Sequence, residues 1–337
     1  MMNPTSFEET ITSILEENIK RIKNSLNIVS ETDAPRLICI DGKEENGTGR
    51  KYCAKTGGKV RNIQTLHVYD FTNQICLASE PIEEKTNEIP TAQKILKTID
   101  LRNTVCTCDA LHMQCLTVSI IRNNKGHYVI GLKGNQKGLM ETASSCFSES
   151  VIQKLKKSKK KNKPVYITDV GHAHGQKENR EYFLAPIPDD EVLRNKWDGL
   201  RSFVMCVKTL EPDSPKLHSS TEVRYYATDL DDLSLIADAI RSHWSIEQFH
   251  WQLDVSFQQD NNSTMNVKAY ENLTRMNKMC LHLFQLMKTV NKGTSVLRMR
   301  KRFGWNFEDS MEELLTYFDE KAIIQVLNSK TVNPTIS

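Results

Sequence analysis

The sequence predicts an α/β fold, with a mixed or mostly parallel sheet covered by helices. Three observations predict it. Short apolar runs recur, two of them ending on an aspartate; segments of helical period separate several of them; and a stretch rich in β-branched and aromatic residues follows in mid-chain. In chain order, Phe7, Ile11, Ile14, Leu15, Ile19, Ile22 and Leu26 repeat at helical spacing over 6–29, with Thr5 or Ser6 as cap. A linker containing Pro35 leads into Leu37-Ile38-Cys39-Ile40-Asp41, the pattern of a buried strand. Strand-like runs follow at 64–71 and 75–82. A helix fits 88–98, with Ile89, Ala92, Ile95 and Leu96 on one face, and a further apolar strand at 104–108 stops at Asp109. A helix at 111–123 and a strand at 127–132 complete this part. After Gln136 the texture changes: residues 154–163 hold seven lysines, and 165–228 reads as a β-rich insertion of runs such as VYITDV, SFVMCV and VRYYAT. Helical patterns return at 232–257, 270–290 and 309–327.

The chain has 337 residues, 39% hydrophobic and 26% charged, enough for one large domain or two ordinary ones. Its 45 Lys and Arg against 42 Asp and Glu leave a net charge of only +3. A histone-like protein is excluded, so any nucleic-acid surface must come from local clustering of charge. Mean hydropathy is −0.49, and no apolar stretch approaches the roughly 18–20 residues that span a bilayer. The start MMNPTSFEETI lacks the basic-then-apolar layout of a secretory signal. The chain therefore reads as soluble and intracellular, without a membrane partner. The nine cysteines are scattered, with no Cys-x-x-Cys pair, and read as reduced, mostly buried thiols rather than zinc ligands.

Three acidic residues stand out by position. Asp41 and Asp109 each end an apolar strand. If those strands are adjacent and parallel, the carboxylates meet at one end of the sheet, where open α/β sheets place their sites. Glu247 lies in the amphipathic segment Ile240-Arg241-Ser242-His243-Trp244-Ser245-Ile246-Glu247. Burying carboxylates together is costly unless a cation neutralises them, so the trio is a metal site or no cluster at all. With oxygen donors only, the fitting ion is Mg²⁺ or Mn²⁺. A plainer reading stands beside it: aspartates after strands form turns or cap helices, and a helical glutamate is commonly solvated.

The segments ICIDGK (38–43), CDALHMQ (108–114), YVIGLKGNQ (128–136), TEVRYY (221–226) and RSHWSIEQFHWQLDVSFQQD (241–260) resemble the ISAs-type, or H-repeat-associated, transposases of bacterial insertion sequences. These belong to the DDE superfamily, and the resemblance runs from about residue 36 to about residue 320. The specific part is His-Trp-x-Ile-Glu followed by His-Trp-x-Leu-Asp-Val-x-Phe. The resemblance implies a ribonuclease-H-like mixed sheet flanked by helices, with the β-rich insertion before the helix carrying the last catalytic carboxylate. It divides the chain into an N-terminal helical segment (1–35), a first part of the core (36–136), the insertion with its lysine-rich loop (137–231) and a helical completion (232–330).

Carried over residue by residue, the resemblance makes Asp41, Asp109 and Glu247 the catalytic and metal-binding residues, holding two Mg²⁺ (or Mn²⁺) about 3.5–4 Å apart. Phosphodiester hydrolysis at the element ends and strand transfer to target DNA would then be the same in-line displacement, by water and by a 3′-hydroxyl. The partners implied are DNA and further copies of the chain, a homodimer or larger assembly on DNA, in the bacterial cytoplasm at the nucleoid. His243, His250 and Asp254 fall at helical spacing with Glu247 and become candidates to orient the carboxylates or a phosphate. Trp244, Phe249 and Trp251 read as packing residues of that helix. Lys133, Asn135 and Gln136 match the family's LKGNQ and are candidate DNA contacts, as is Arg180 in the segment 171–180. The lysine run, including Lys157 and Lys160, and the basic stretch with Arg298, Arg300, Lys301 and Arg302 read as phosphate contacts.

Only 40 residues precede Asp41, fewer than family members usually carry, which sets two readings beside the active enzyme. One is a shortened, inactive DNA-binding remnant. The other is a metal-dependent nuclease that cuts without joining. The presence of all three carboxylates argues for activity.

Overall fold

Leu37, Ile38, Cys39 and Ile40 are buried in the first strand, β1 (Arg36–Glu45), and every residue of Thr104–Cys108 is buried in another. Strands covered on both faces have no solvent side, which is why these runs lack polar alternation. The computed structural model describes residues 34–316 apart from 54–56, 84–86, 159–162, 174, 214–217, 265 and 291–293, together with Thr10, residues 12–14 and 16–17, and Arg21. Those last few are helical; the remainder of the helix expected over 6–29 lies outside the described residues.

After β1 come β2 (Arg50–Cys53), β3 (Gly58–Val60), β4 (Ile63–Asp70), β5 (Ile75–Pro81), helix α1 (Glu88–Leu96), β6 (Thr104–Cys108), α2 (Cys115–Asn123) and β7 (His127–Leu132). Then follow α3 (Lys137–Ser145), α4 (Glu149–Lys156), β8 (Tyr166–Ala173), β9 (Gln176–Pro186), α5 (Glu191–Lys196), β10 (Ser202–Pro212) and β11 (Ser220–Thr228). The chain continues through α6 (Leu233–Ser242), α7 (Trp244–Phe257), α8 (Val267–Val290), α9 (Val296–Trp305) and α10 (Phe307–Thr316). The mixed sheet has the order β5-β4-β1-β6-β7-β11-β10-β9-β8, with β2 and β3 forming a separate pair. Strands β1, β6 and β7 are parallel; from β7 onward, and between β4 and β5, pairing is antiparallel. This is the expected α/β class, a mixed sheet flanked by helices. The β-rich insertion is not a separate sheet: its four strands extend this one beyond β7.

The described residues form two compact units, one within Pro35–Asp41 and Asn87–Ser245, the other within Met1–Ala34, Gly42–Thr86 and Ile246–Ser337. In the first, α6 lies against β6, β7, β8 and β9. Leu233, Ile236, Ala237, Ala239 and Ile240 of α6 join Val105, Val129, Leu184 and Val204 in one buried cluster. Each large side chain so buried contributes about 1.5–3 kcal/mol. Asp232 starts α6 by accepting from the backbone N–H groups of Ser234 and Leu235. In the second unit Phe249 of α7 stacks on Tyr69 of β4 at 4.9 Å, and α8 packs on β5.

Two expectations need correction. The helix read as continuous over 232–257 is broken at His243. The Ser242 carbonyl there accepts from the Ser245 hydroxyl at 2.5 Å and from the Cys39 thiol at 3.1 Å. Short side chains thus compete with the helical ladder. Strand β1 passes through Asp41 and continues to Glu45. The basic stretch near 300 is itself a helix, α9, capped by Ser295. Of the helix expected over 309–327, the described part is α10, and the residues past Thr316 lie outside the described ones.

Candidate active site

Strand pairing brings two of the three acidic residues to the same end of the sheet. The parallel register ends at Ile40 opposite Cys108, so Asp41 and Asp109 each follow the last paired residue of two adjacent strands. Both carboxylates are close enough to Cys108 to add to the burial that pushes its thiol far up. Asp109 occupies the cap position of a short 3₁₀ turn, Ala110–His112, yet its side chain makes no capping bond. The plainer reading of this aspartate as a helix cap is therefore not what its carboxylate does. That carboxylate is 57% exposed and faces His243, whose Nε2 is 3.5 Å from Oδ1.

His243 is itself oriented from behind. Thr107 Oγ1 lies 3.2 Å from His243 Nδ1 and 3.3 Å from the Ile38 carbonyl. Thr107 donates its hydroxyl proton to the Ile38 carbonyl, so its oxygen is placed to accept from His243 Nδ1–H. The contact from His243 to Asp109 is long for a hydrogen bond. Even so, His243 holds the Asp109 carboxyl below its ordinary value, against the upward push of burial, with smaller pulls from Lys133 and His112. Asp109 is thus kept ionised and accessible, as a cation ligand needs to be.

Glu247 lies in the first turn of α7, exposed, where a negative charge suits the helix N-terminus. It belongs to the second unit, with the later half of β1. In that unit the residues expected to support it have other partners. His250 is buried, with Nε2 3.0 Å from Nδ1 of His67. Asp254 pairs at 2.7 Å with the ammonium of Lys43, the lysine of the IDGK segment. Lys43 is 6% exposed and also reaches Glu45 at 2.7 Å and Asp260 at 3.2 Å.

Among the described residues, the acidic group tight enough to share one ion is this one, Glu45, Asp254 and Asp260, and a lysine already sits in it. Burial lowers the Lys43 pKa, but attraction from Glu45 and the bond to Asp254 outweigh it, so the net shift is upward. Burial raises the carboxyls of Glu45 and Asp254 despite Lys43. Gln259 closes the network, donating to Tyr270 and Thr274 at 2.9 Å each. The charges flanking Lys43 in sequence gave no sign of Asp254 and Asp260, which reach it from far along the chain.

The transposase DDE domain family matches residues 32–282, about three quarters of the chain. The chain belongs to that family. A protein of Escherichia coli O157:H7 named as a transposase, YncI, is 28% identical over 273 residues, 80% of this chain and 66% of that protein. YhhI of Escherichia coli K12, named as an H repeat-associated transposase, is 25% identical over 275 residues, 80% of this chain and 69% of its own length. The chain thus spans about two thirds of the length of these relatives. A chain of a piggyBac transposase synaptic complex with hairpin DNA superposes with a TM-score of 0.39 at 11% identity, covering 89% of this chain and 55% of that one. So distant a superposition says nothing about the chemistry of this chain.

The remaining candidates of this DDE-family chain divide by burial. Lys133 is exposed beside Asp109, whereas Asn135 and Gln136 donate to the Ala110 and Met113 carbonyls at 2.7 and 2.9 Å. Those two amides tie the loop after β7 to the segment after Asp109. Arg180 is 9% exposed, with its Nε 2.8 Å from Glu178, so most of its surface is spent inside the sheet. Lys157, Arg298, Lys301 and Arg302 are exposed, Arg302 pairing with Glu313 at 2.6 Å, while Arg300 donates to the Ser256 carbonyl. Lys160 lies outside the described residues. Phe249 packs as expected, but Trp251 is 61% exposed and Trp244 40%, with Lys208 over the Trp244 ring at 5.2 Å. No helix among the described residues is long and apolar enough to cross a membrane.

Proposed function

We propose that this chain cuts DNA phosphodiesters at the ends of an insertion element and joins the ends to target DNA, with Asp41, Asp109 and Glu247 as the catalytic carboxylates. Family membership supports the general activity. The observation that supports the residue assignment is the parallel register ending one residue before both Asp41 and Asp109, with the Asp109 carboxylate ionised, exposed and free of capping duty. The donors are all oxygens, which fits Mg²⁺ or Mn²⁺. When bound, such ions activate a water or 3′-hydroxyl and stabilise the leaving oxygen.

The chain's own residues do the rest. Thr107 fixes the His243 ring, His243 fixes the Asp109 carboxylate, and Lys133 supplies a positive charge on the same side for a scissile phosphate. Glu247 enters the assignment through the matched His-Trp-x-Ile-Glu motif. The acting species would be an assembly of copies on DNA.

The test is cleavage of a duplex carrying the boundaries of the genomic segment that encodes this chain, with and without Mg²⁺, beside Asp41→Ala, Asp109→Ala and Glu247→Ala. Parent protein should nick at the boundaries only with the ion. Each variant should bind the duplex equally and cut at least about 100-fold more slowly, since even outer-sphere partners of a metal are worth 10–100-fold. Equal cleavage by all four proteins would end the assignment, and nicking without joined products would favour a nuclease.

A further inference from the structure

A second positively charged surface belongs to the unit that does not contain Asp41 and Asp109. Residues 50–61 read RKYCAKTGGKVR, five cations and no acid in twelve positions. Of these, Arg50–Cys53 and Gly58–Val60 form β2 and β3, an antiparallel pair that is a two-stranded sheet of its own. An isolated pair of this size is marginal in water, so something must hold it.

Its root is held by a dense set of bonds. Gly49 N–H donates to Asn62 Oδ1 at 2.8 Å, and Ile63 N–H donates to Thr48 Oγ1 at 2.8 Å. Arg50 spends its guanidinium on the carbonyls of Gly47, Gly49 and Ser263, at 2.8, 2.6 and 2.8 Å. A Cβ at position 49 would stand 2.3 Å from Asn62 Oδ1, so the backbone there approaches as closely as glycine allows. The hairpin is therefore presented in a fixed pose over an open cleft of about 670 Å³.

The charges lining that cleft do not balance. With the Arg50 guanidinium spent on carbonyls, Lys51 and Lys59 stand in this lining with one carboxylate, Glu44, which already accepts from Asn62 Nδ2 at 2.6 Å. The register pairs Arg50 with Val60 and shifts between Arg50 and Cys53, so Lys51 and Lys59 lie on the two paired strands, each next to the Arg50–Val60 pair. Both lysines are exposed, and neither has an acidic partner among the described residues. A small-molecule pocket is mostly apolar, whereas this cleft sets cations and the amides of Asn46, Asn62 and Gln64 beside Val60, Ile63, Pro81 and Ile82. A pre-set row of cations in such excess suits a polyanion whose charges repeat along a line.

We propose that the β2–β3 hairpin and its cleft form a sequence-independent contact for the DNA sugar-phosphate backbone, with Lys51 and Lys59 as its main phosphate ligands and Arg61 beside them. The proposal rests on the reading of this chain as a DNA enzyme and adds a surface that lies in none of the motifs that suggested it.

The experiment measures binding of the full chain to a random-sequence duplex by fluorescence anisotropy, from 50 to 300 mM KCl. Parent, Lys51→Gln/Lys59→Gln, Lys51→Arg/Lys59→Arg, and a control losing two lysines elsewhere, Lys125→Gln/Lys196→Gln, are compared. Each phosphate contact contributes about 0.9 to the slope of log K against log salt, so the first variant should lose about 1.8. The arginine variant should regain that slope, and the control should keep the parent's. Single Lys59→Glu provides a second reading and should weaken low-salt binding about 10-fold or more. Parent that binds with a steep slope while both the glutamine and the glutamate variants match it would overturn the surface but leave the DNA reading intact. Parent that shows no salt-dependent binding at all would overturn both.

Discussion

The charge cluster around Lys43 supplies a prediction that can be worked through from distances. Lys43→Met keeps the bulk of the side chain and removes the ammonium that stands 2.7 Å from Glu45, 2.7 Å from Asp254 and 3.2 Å from Asp260. Glu45 is fully buried, so its charge then has no compensation nearby. Removing one partner of a buried ion pair costs about 3–5 kcal/mol. With a urea dependence of about 2 kcal/mol per molar, the midpoint of unfolding should fall by about 2 M.

The loss should depend on pH, and the sign follows from the carboxyls. Burial raises Glu45 and Asp254 in the folded state, so the fold is favoured when they are protonated and penalised as pH rises through their folded values. Without Lys43 that penalty grows, so the gap between variant and parent should be wide at pH 7.5 and narrow toward pH 5. Adding Glu45→Gln to Lys43→Met should recover about 1–3 kcal/mol, the usual range for residues in contact. Urea titrations followed by far-ultraviolet circular dichroism at both pH values provide the data. A variant within about 0.5 kcal/mol of the parent at both would refute the reasoning.

Three further outcomes are expected. Gly47→Ala should cost about 1–3 kcal/mol, because its Cβ would stand 2.3 Å from the Asp260 carbonyl oxygen and 2.6 Å from that of Asn262. Gly58→Ala, which meets open space, should stay within about 0.5 kcal/mol; equal melting temperatures for the two would contradict this. His243→Ala removes the main influence holding the Asp109 carboxyl down and leaves burial pushing it up, so carbon-13 NMR should find Asp109 titrating higher than in the parent. In the parent the lowered Asp109 contributes stability above the ordinary carboxylate range and loses it as pH falls through the folded value, so the variant should lose less on acidification. Asp229→Ala strands Arg122 at 2.6 Å and the Tyr128 N–H at 2.9 Å beside a buried vacancy, and should cost about 3 kcal/mol in chemical denaturation. A loss under about 0.5 kcal/mol would contradict the last.

What the sequence made legible was local. Residues 104–108 and 127–132 read as strands because burial on both faces removes polar alternation, and both form with the expected bounds. The expectation that Asp41 and Asp109 share one end of the sheet needed one assumption, parallel adjacency of their strands, and the register shows that adjacency up to Ile40 and Cys108. What stayed hidden depends on partners far apart in the chain. Lys43 meets Asp254 and Asp260 across more than two hundred residues, and no periodic pattern marks such a meeting. The break at His243 was invisible because apolar spacing continues through it, while the cause is the Ser245 hydroxyl and the Cys39 thiol on one carbonyl. Arg180 looked like a surface cation because a motif carries no burial information, yet it lies inside the sheet beside Glu178. Asn135 and Gln136 likewise hold backbone carbonyls, a role that side-chain identity alone does not announce.

The most direct measurement is a metal-specificity switch at Asp109. Asp109→Cys replaces an oxygen donor with a sulfur donor, which Mg²⁺ accepts poorly and Mn²⁺ tolerates better. Cleavage of the boundary duplex by this variant should vanish in Mg²⁺ and return in part in Mn²⁺, with DNA affinity unchanged in both. Cleavage in Mg²⁺ equal to the parent's would show that Asp109 grips no ion, and the catalytic account would fall with it.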